Sequence, residues 1–384
     1  MKICLVTIND NINVGTFLQI YASSRTLRQL GNEVEVEVVD YIRPRSRLIR
    51  RIVNALKTSS RALPIRLLLV PYVLLEQKYA SRVLNDFLRK HVKLTPRRFH
   101  SFEALQRHPP SADIYVTGSD QVWNSCYNEG IDRTFYLDFA PDGATRIAYA
   151  ASFGLVELPE DQLEATRRLI SKYSAISVRE ESALSILEKL GWFGAEHVLD
   201  PTLMLNREDW MKLANPRPRG ERYLLIYCVE GERRKAVFEN ARIIARHLGL
   251  KIYQVSCGGI RSGIKGCDKI FYFASPGEFL SLFLNAEFVV TSSFHGTAFS
   301  INLNKPFLSV MPPRYTARAA SLLKILGLED RMVMKTCDLQ KMMEPIDYDR
   351  INRQLATERA KTWSFLATAL GDRMRDRRHN RVAL

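Results

Sequence analysis

Short apolar runs that end on small or polar residues and open straight into helix-periodic stretches recur along this chain. That pattern leaves few folds. A strand followed by a helix and a further strand builds βαβ units, and a series of them builds a parallel sheet covered by helices. Lys2–Ile8 reads as a strand and Asn9–Gly15 as a polar loop. Phe17, Leu18, Ile20, Tyr21, Leu27 and Leu30 then fall at helical spacing, with Gly31-Asn32 as the stop. Val34, Val36, Val38 and Val39 read as the second strand. Ile114–Thr117, ending in Gly118-Ser119-Asp120, and Ile147–Ala151, ending in Ser152-Phe153-Gly154, repeat the motif. Pro159–Tyr173 reads as a helix, Ala175–Val178 as a strand, and Glu180–Leu190 as a helix closed by Gly191.

The stretch around 206–221, with Asn215-Pro216-Arg217-Pro218-Arg219-Gly220, has linker composition. Beyond it the rhythm restarts: strands at Tyr223–Val229, Lys251–Val255, Phe288–Thr291 and Pro306–Val310, helices at Arg234–Leu248, Glu278–Ala286 and Gly296–Leu303, and a last helix at Ile351–Met374. We therefore expect two α/β domains facing across a cleft. The divisions are residues 1–208, with a basic helical insertion at 43–95 broken by Pro44, Pro64 and Pro71; residues 209–335; and a helical segment with a basic tail at 336–384. The length of 384 residues suits two domains. Ligands in such sheets bind beyond the carboxyl ends of the strands.

Charge narrows the function. The formal net charge is +15, yet it is local. Arg43, Arg45, Arg47, Arg50, Arg51, Lys57, Arg61 and Arg66 occur without an intervening acid, and the tail from Arg373 to Leu384 holds five arginines against Asp376. The rest of the chain is close to balanced, and no base-stacking aromatics are interleaved with the cations, so a nucleic-acid reader is disfavoured. The six cysteines contain no C-x-x-C pair and no metal-ligand spacing, so we expect no metal. Asn9-Asp10-Asn11 follows the first apolar run too early for a secretory leader, and Leu67–Leu75 is too short to cross a bilayer. A reducing, cytoplasmic setting is the expectation.

Four segments carry chemistry. In Thr291-Ser292-Ser293-Phe294-His295-Gly296-Thr297, His295 lies between a strand and a helix, where free N–H groups suit an anion and an imidazole suits proton transfer. A core or capping histidine is the competing reading. In Ser177-Val178-Arg179-Glu180, Arg179 can grip a carboxylate or phosphate, or else pair with a neighbouring glutamate. In Gly118-Ser119-Asp120-Gln121-Val122-Trp123-Asn124, Asp120 is a candidate base and Trp123 a platform for a sugar face, against an Asx turn with a buried tryptophan. Asn13-Val14-Gly15-Thr16 with Gln19 forms the first strand-to-helix turn, where Gly15 would admit a ligand or Asn13 merely cap the helix. Phosphate-loop, G-x-G-x-x-G and G-x-S-x-G signatures are absent.

Taken in order, Asn13-x-Gly15 with Leu18-Gln19-x-Tyr21-Ala22, the Gly118–Asn124 run, Ser177-Val178-Arg179-Glu180, Asp200-Pro201-Thr202 and Ser293-Phe294-His295-Gly296-Thr297 resemble the polysaccharide pyruvyl transferase family, over about residues 1 to 310. The resemblance implies a glycosyltransferase-B-like fold. It also implies transfer of pyruvate from phosphoenolpyruvate, as donor co-substrate and without a further cofactor, onto two hydroxyls of a sugar as a cyclic ketal. It places Arg179 and His295 in the donor site, His295 as acid and Asp120 as base, with Ser293, Phe294, Gly296 and Thr297 around the donor. Several branches carry Arg two residues before the histidine. Ser293 stands there in this chain, and Lys305, Arg314 or the N–H groups after Gly296 are the candidate substitutes. Asn13, Gly15, Gln19, Gln121, Trp123 and Asn124 fall to the acceptor.

The acceptor is expected to be a capsular or exopolysaccharide precursor carried on a polyprenyl lipid, and Ile49, Ile52, Val53 and Leu56 share one helical face of the basic insertion, which would dock on the anionic inner membrane leaflet. A nucleotide-sugar glycosyltransferase of the same fold is the alternative.

Overall fold

The computed structural model describes residues 1–43, 63–216, 220–229, 231–256, 263–311 and 316–382. Its first sheet joins β1 (Lys2–Val6), β2 (Glu35–Val38), β3 (Ile114–Thr117), β4 (Thr145–Ala151), β5 (Ala175–Val178) and β6 (Glu196–His197), all parallel, in the order β2-β1-β3-β4-β5-β6. The second joins β7 (Tyr223–Cys228), β8 (Lys251–Ser256), β9 (Lys269–Tyr272), β10 (Phe288–Thr291), β11 (Phe307–Val310) and β12 (Met332–Val333), again all parallel, in the order β12-β11-β10-β7-β8-β9. These are two Rossmann-like domains. Every residue of β3, β7, β10 and β11 is buried, as strands covered on both faces require.

Strand order fixes where a ligand can sit. In the first sheet the chain reverses between β1 and β3, and in the second between β7 and β10. A crevice opens at the carboxyl ends of the strands at each such reversal. Four turns therefore converge: those after β1, β3, β7 and β10.

The helices that matter are α1 (Val14–Arg28), α2 (Leu63–His91), α3 (Glu181–Lys189), α4 (Pro201–Met204), α5 (Arg234–Leu248), α6 (Pro276–Asn285), α7 (Phe294–Asn302), α8 (Thr316–Leu326) and α9 (Tyr348–Val382). α1 is buried along most of its length because it packs under its own sheet and also against α4, α6 and α7. The Arg359 Nε of α9 donates to the Leu203 carbonyl at 2.6 Å, and the Leu199 N–H donates to Thr362 Oγ1 at 3.2 Å, so the last helix returns to the segment joining the two sheets.

Several expectations change. Pro71 does not break the insertion: α2 runs through it, and begins at Leu63, one residue before Pro64, while Pro44 lies outside the described residues. Pro64 sits in its first turn, where the missing N–H costs nothing, and Pro71 lies on the exposed side. Pro159–Tyr173 resolves into a 3-10 turn at Glu160–Gln162 and a helix at Leu163–Ile170, because Pro159 itself is extended. Three short strands add to those expected: β6 and β12 have only two residues each, and β9 (Lys269–Tyr272) has four. Arg43 does not belong to a solvated basic face. It is buried, with Nε donating to Asp10 Oδ2 at 2.7 Å, Nη1 donating to Asn128, and its guanidinium 5.2 Å from the Phe135 ring centre. The amphipathic face of Ile49, Ile52, Val53 and Leu56 lies outside the described residues. No helix among the described residues is long and apolar enough to cross a membrane.

Candidate active site

Arg179 follows β5 and points its guanidinium inward, with no exposed side-chain surface. Nη1 donates to Asp200 Oδ2 at 2.8 Å and approaches Ser119 Oγ at 3.4 Å, while Nη2 donates to Asp120 Oδ1 at 3.2 Å. Asp200 is the N-cap of α4: Oδ1 accepts the Thr202 N–H at 2.9 Å and the Thr202 hydroxyl at 2.6 Å, and Oδ2 accepts the Ser119 hydroxyl at 2.9 Å. Asp120 has φ of 84°, a left-handed conformation rare for a side-chain-bearing residue, and its carboxylate accepts the Gln121 N–H at 2.8 Å and the Thr16 hydroxyl at 2.9 Å. Glu180 Oε1 accepts the Ser152 hydroxyl at 2.9 Å and the Gly154 N–H at 3.0 Å, and its buried Oε2, 4.0 Å from Arg179 Nε, has no hydrogen-bond partner among the described residues.

This arrangement fixes ionisation. Burial works against the Asp120 carboxylate, but Arg179, His295, Arg318 and the Thr16 hydroxyl outweigh it and hold the pKa to about 2. Asp200 is lowered in the same way: burial opposes, and Arg179, His295 and Thr202 prevail. Both Asp120 oxygens are thus occupied, Oδ1 by Arg179 and the Gln121 N–H and Oδ2 by the Thr16 hydroxyl.

His295 stands in the first turn of α7, directly beyond β10. It is buried, and its Nε2 has no hydrogen-bond partner among the described residues. Burial pushes the imidazole below its usual 6.5; Asp200 and Asp120 pull it back, and Arg179 and Arg318 add to the lowering. Phe294, just before it, lies with its ring centre 4.8 Å from the Arg179 guanidinium and 5.8 Å from that of Arg318. Ser293 holds the N-cap position of α7 without a side-chain cap hydrogen bond, so its hydroxyl satisfies none of the first-turn N–H groups.

The other expected residues divide. Asn13 caps α1: its Oδ1 accepts the Gly15 N–H at 2.9 Å and also the Tyr227 hydroxyl, from the second sheet, at 2.7 Å. Gly15 does admit a close neighbour, but the neighbour is the His295 ring. Gly296 likewise makes room for Thr291 and Tyr227. Thr297 is buried and its hydroxyl pairs with Ser309 Oγ at 2.7 Å. Gln121 is half-buried and Asn124 is buried, with Asn124 Nδ2 donating to Gln121 Oε1 at 2.7 Å and Asn124 also capping the Ser125–Asn128 turn.

Three residues do not reach the site. Trp123 is 1% exposed; it stacks on Tyr136 with ring centres 5.5 Å apart, and its Nε1 donates to the Phe135 carbonyl, so it cannot hold a sugar face. Gln19 is buried behind β1, with its amide nitrogen donating to Ser23 Oγ at 2.7 Å. Lys305 lies past the far end of α7, beside Arg207 and Glu287. Arg314 lies outside the described residues. The structure in turn brings in Ser119, Thr16, Tyr227, Glu180, Asp200 and Arg318. Of these, Asp200-Pro201-Thr202 carried a legible cap signature; nothing local marked Arg318. Among the described residues no three His, Cys, Asp or Glu side chains are placed to hold a metal ion.

The chain matches the profile of the family described as polysaccharide pyruvyl transferase over residues 13–312. No curated protein sequence matches it. Among solved structures it is similar to a UDP-N-acetylglucosamine 2-epimerase described as putative, from Listeria monocytogenes, with a TM-score of 0.54 and 11% identity over 97% of each chain. It is also similar to the MnaA-UDP co-structure from S. aureus, with a TM-score of 0.52 and 12% identity over 92% of this chain and 90% of that one. At such identities the likeness is one of fold.

Proposed function

We propose that this chain, which belongs to the polysaccharide pyruvyl transferase family, transfers pyruvate from phosphoenolpyruvate to two hydroxyls of a sugar as a cyclic ketal. The observation that carries this reading is the unpartnered Nε2 of buried His295, beside an uncapped helix N-terminus and an arginine-bearing cluster, where both strand-order reversals meet.

The reaction needs a proton on the methylene carbon. An anionic donor bound beside His295 favours the imidazolium, which gives that proton and leaves an electrophilic carbon flanked by carboxylate and phosphate. A sugar hydroxyl attacks there, and its proton returns to His295. The second hydroxyl then displaces phosphate, which takes up the second proton, so His295 ends as it began. The first-turn N–H groups of α7 favour the donor's negative charge. Asp120 and Asp200 hold Arg179 and keep the turns after β3 and β5 in register. The amides of Asn13, Gln121 and Asn124 are of a kind that suits sugar hydroxyls, and we assign them to the acceptor.

The acceptor we infer is a lipid-carried polysaccharide precursor. Leu74, Leu75 and Tyr79 of α2 are exposed, and the adjoining residues 44–62 are rich in arginine. An apolar stripe beside clustered cations suits an anionic membrane face.

The test is incubation of the chain with phosphoenolpyruvate and candidate galactosides, free and lipid-linked, followed by mass spectrometry. One pyruvate ketal per sugar with release of phosphate is expected. Stabilisation by UDP-sugars with no response to phosphoenolpyruvate would overturn the reading in favour of a glycosyltransferase, whose donor the MnaA-UDP co-structure would then resemble.

A further inference from the structure

A pocket of about 470 Å³ opens in the first domain, between the 3-10 helix Arg133–Tyr136 and the helix Leu163–Ile170. None of its lining residues belongs to the turns after β1, β3, β7 or β10, so it is separate from the crevice that holds His295. Ile131, Ala165 and Leu169 give it an apolar wall, and Arg133, Arg168 and Lys172, all exposed, stand around it. The one acid among its lining residues is Asp138, whose side chain is 4% exposed.

That acid does not balance the cations. Asp138 Oδ2 accepts Arg133 Nε at 2.6 Å, and Oδ1 accepts the Lys172 ammonium. One carboxylate carries one charge and serves two cations, so one positive charge is left over. Arg168 adds another, because its exposed guanidinium makes no hydrogen bond or ion pair among the described residues. The acids nearby are spoken for. Glu164 pairs with Arg167 at 2.6 Å, Asp132 accepts the Thr134 N–H and the Tyr41 hydroxyl, and Glu103, which feels Arg133, is held by the Ser101 hydroxyl and its own backbone. Next to Asp138 in the chain, the Leu137 carbonyl accepts buried Arg146, whose other partners are the carbonyls of Ala140, Pro141 and Ala144, so this cation also lacks an acid among the described residues.

Both sides of the pocket are pinned to one strand residue. Thr117 Oγ1 donates to the Phe135 carbonyl of the 3-10 helix at 2.9 Å and pairs at 2.6 Å with the hydroxyl of Tyr173, the neighbour of Lys172. A site held in this way loses little freedom on binding. Two arginine forks and a lysine suit a tetrahedral oxyanion, the guanidiniums in bidentate fashion and the ammonium as a point charge. The space exceeds what a bare phosphate fills and falls in the range of small-molecule pockets, about 300–1,000 Å³.

We propose that this pocket is a second ligand site, taking a phosphomonoester of sugar-phosphate size, with Arg168, Arg133 and Lys172 on the phosphate and Ile131, Ala165 and Leu169 against the carbon skeleton. The site stands whether or not the crevice transfers pyruvate.

The experiment is calorimetry on the full chain with glucose 1-phosphate as probe at low salt. Saturable binding is expected. Arg168→Ala should weaken it roughly ten- to hundredfold, the range for a lost charge-assisted hydrogen bond, and Arg168→Glu should weaken it further. Arg168 is exposed and unpartnered, so both variants should keep the wild-type circular dichroism; Lys172→Ala is the second variant and should also weaken binding. His295→Gln, which alters the crevice, should bind the probe as the wild type does. Inorganic phosphate alone should bind at least about tenfold more weakly, for want of a body to cover the apolar wall. The proposal is overturned by a wild type that shows no saturable binding, by equal affinity in the Arg168 variants, by binding lost in His295→Gln and kept in Arg168→Ala, or by phosphate binding as tightly as the sugar phosphate. Sedimentation with phosphatidic acid vesicles that depends on Arg168, with no binding of glucose 1-phosphate, would replace the soluble ligand by a lipid headgroup and overturn it too.

Discussion

Gly15 of the first domain packs against the His295 ring of the second so closely that a Cβ built on Gly15 would lie 2.6 Å from His295 Cβ and Cγ and 2.7 Å from Nδ1. The absence of a side chain at Gly15 thus sets where the imidazole stands. All three contacts are at the root of the ring, so an added methyl must move His295 or part the domains. Gly15→Ala should reduce turnover by about 10²-fold, the scale of a misplacement near 1 Å, with the fold retained. Circular dichroism and single-turnover ketal formation check this. An alanine variant as active as wild type would mean that His295 tolerates displacement and is not the proton carrier.

The imidazole also predicts a pH profile. Its pKa in the free protein lies below 6.5, so at neutral pH it is unprotonated. As the acid it must be charged, and kcat/KM for phosphoenolpyruvate should fall as pH rises through that lowered pKa. The bound donor raises the pKa, so the matching limb in kcat should lie at higher pH. His295→Gln should remove the limb and lower kcat by roughly 10²–10⁴-fold. A rate that climbs with pH over this range would make His295 a base from the outset.

Acid should loosen the cluster around Arg179. Asp120, with a pKa of about 2 against 3.8 in the unfolded chain, and Asp200, also lowered, contribute stability that is complete above pH 4 to 5. That stability is lost as pH falls through the folded-state values, toward 2 for Asp120. The lowered imidazole of His295 has the same sign and starts the decline earlier, below 6.5. Melting temperature should therefore drop from about pH 6 downward. Asp200→Asn should flatten the acid portion of that curve.

Much of the framework was legible. β10 and α5 fall where the apolar period placed them, because each is long or continuous enough to declare its period locally. β6 and β12 have two residues each and exist only because a neighbouring strand offers a ladder. The site divides on the same physical ground. His295 and Arg179 were readable because each follows an apolar strand directly. The burial of Trp123 among Tyr136, Phe153 and Tyr173, and the arrival of Arg318 from α8, are tertiary facts with no local mark.

Trp123 separates a core role from a sugar-binding one. Its ring is enclosed by Tyr136, Phe153 and Tyr173, and its Nε1 is satisfied by the Phe135 carbonyl. Trp123→Ala should cost about 3–5 kcal/mol of stability. Trp123→Phe should cost less and leave the acceptor KM unchanged. A raised acceptor KM in a fully folded phenylalanine variant would return Trp123 to the binding site.

The outer face of α2 provides the last test. Leu75 is 66% exposed, Tyr79 57% and Leu74 38%, an unusual display for a helix whose Ala80, Leu84 and Leu88 are buried. The neighbouring stretch supplies Arg45, Arg47, Arg50, Arg51, Lys57 and Arg61 with no acid among them. Each cation near an anionic bilayer contributes about 1 kcal/mol, and the attraction fades within a Debye length. Binding to anionic vesicles should therefore be salt-sensitive, absent with neutral lipid, and weakened by at least about two orders of magnitude when Arg47, Arg50 and Arg51 become Glu, since three cations are lost and three anions are added. Leu75→Asp should weaken it without altering the salt slope, because that contact is apolar. Ketal formation on a soluble galactoside, which needs no membrane contact, should persist in both. Sedimentation with vesicles measures the first effect and mass spectrometry the second. No binding to anionic vesicles at low salt would remove the membrane from the account and leave a soluble saccharide as the acceptor.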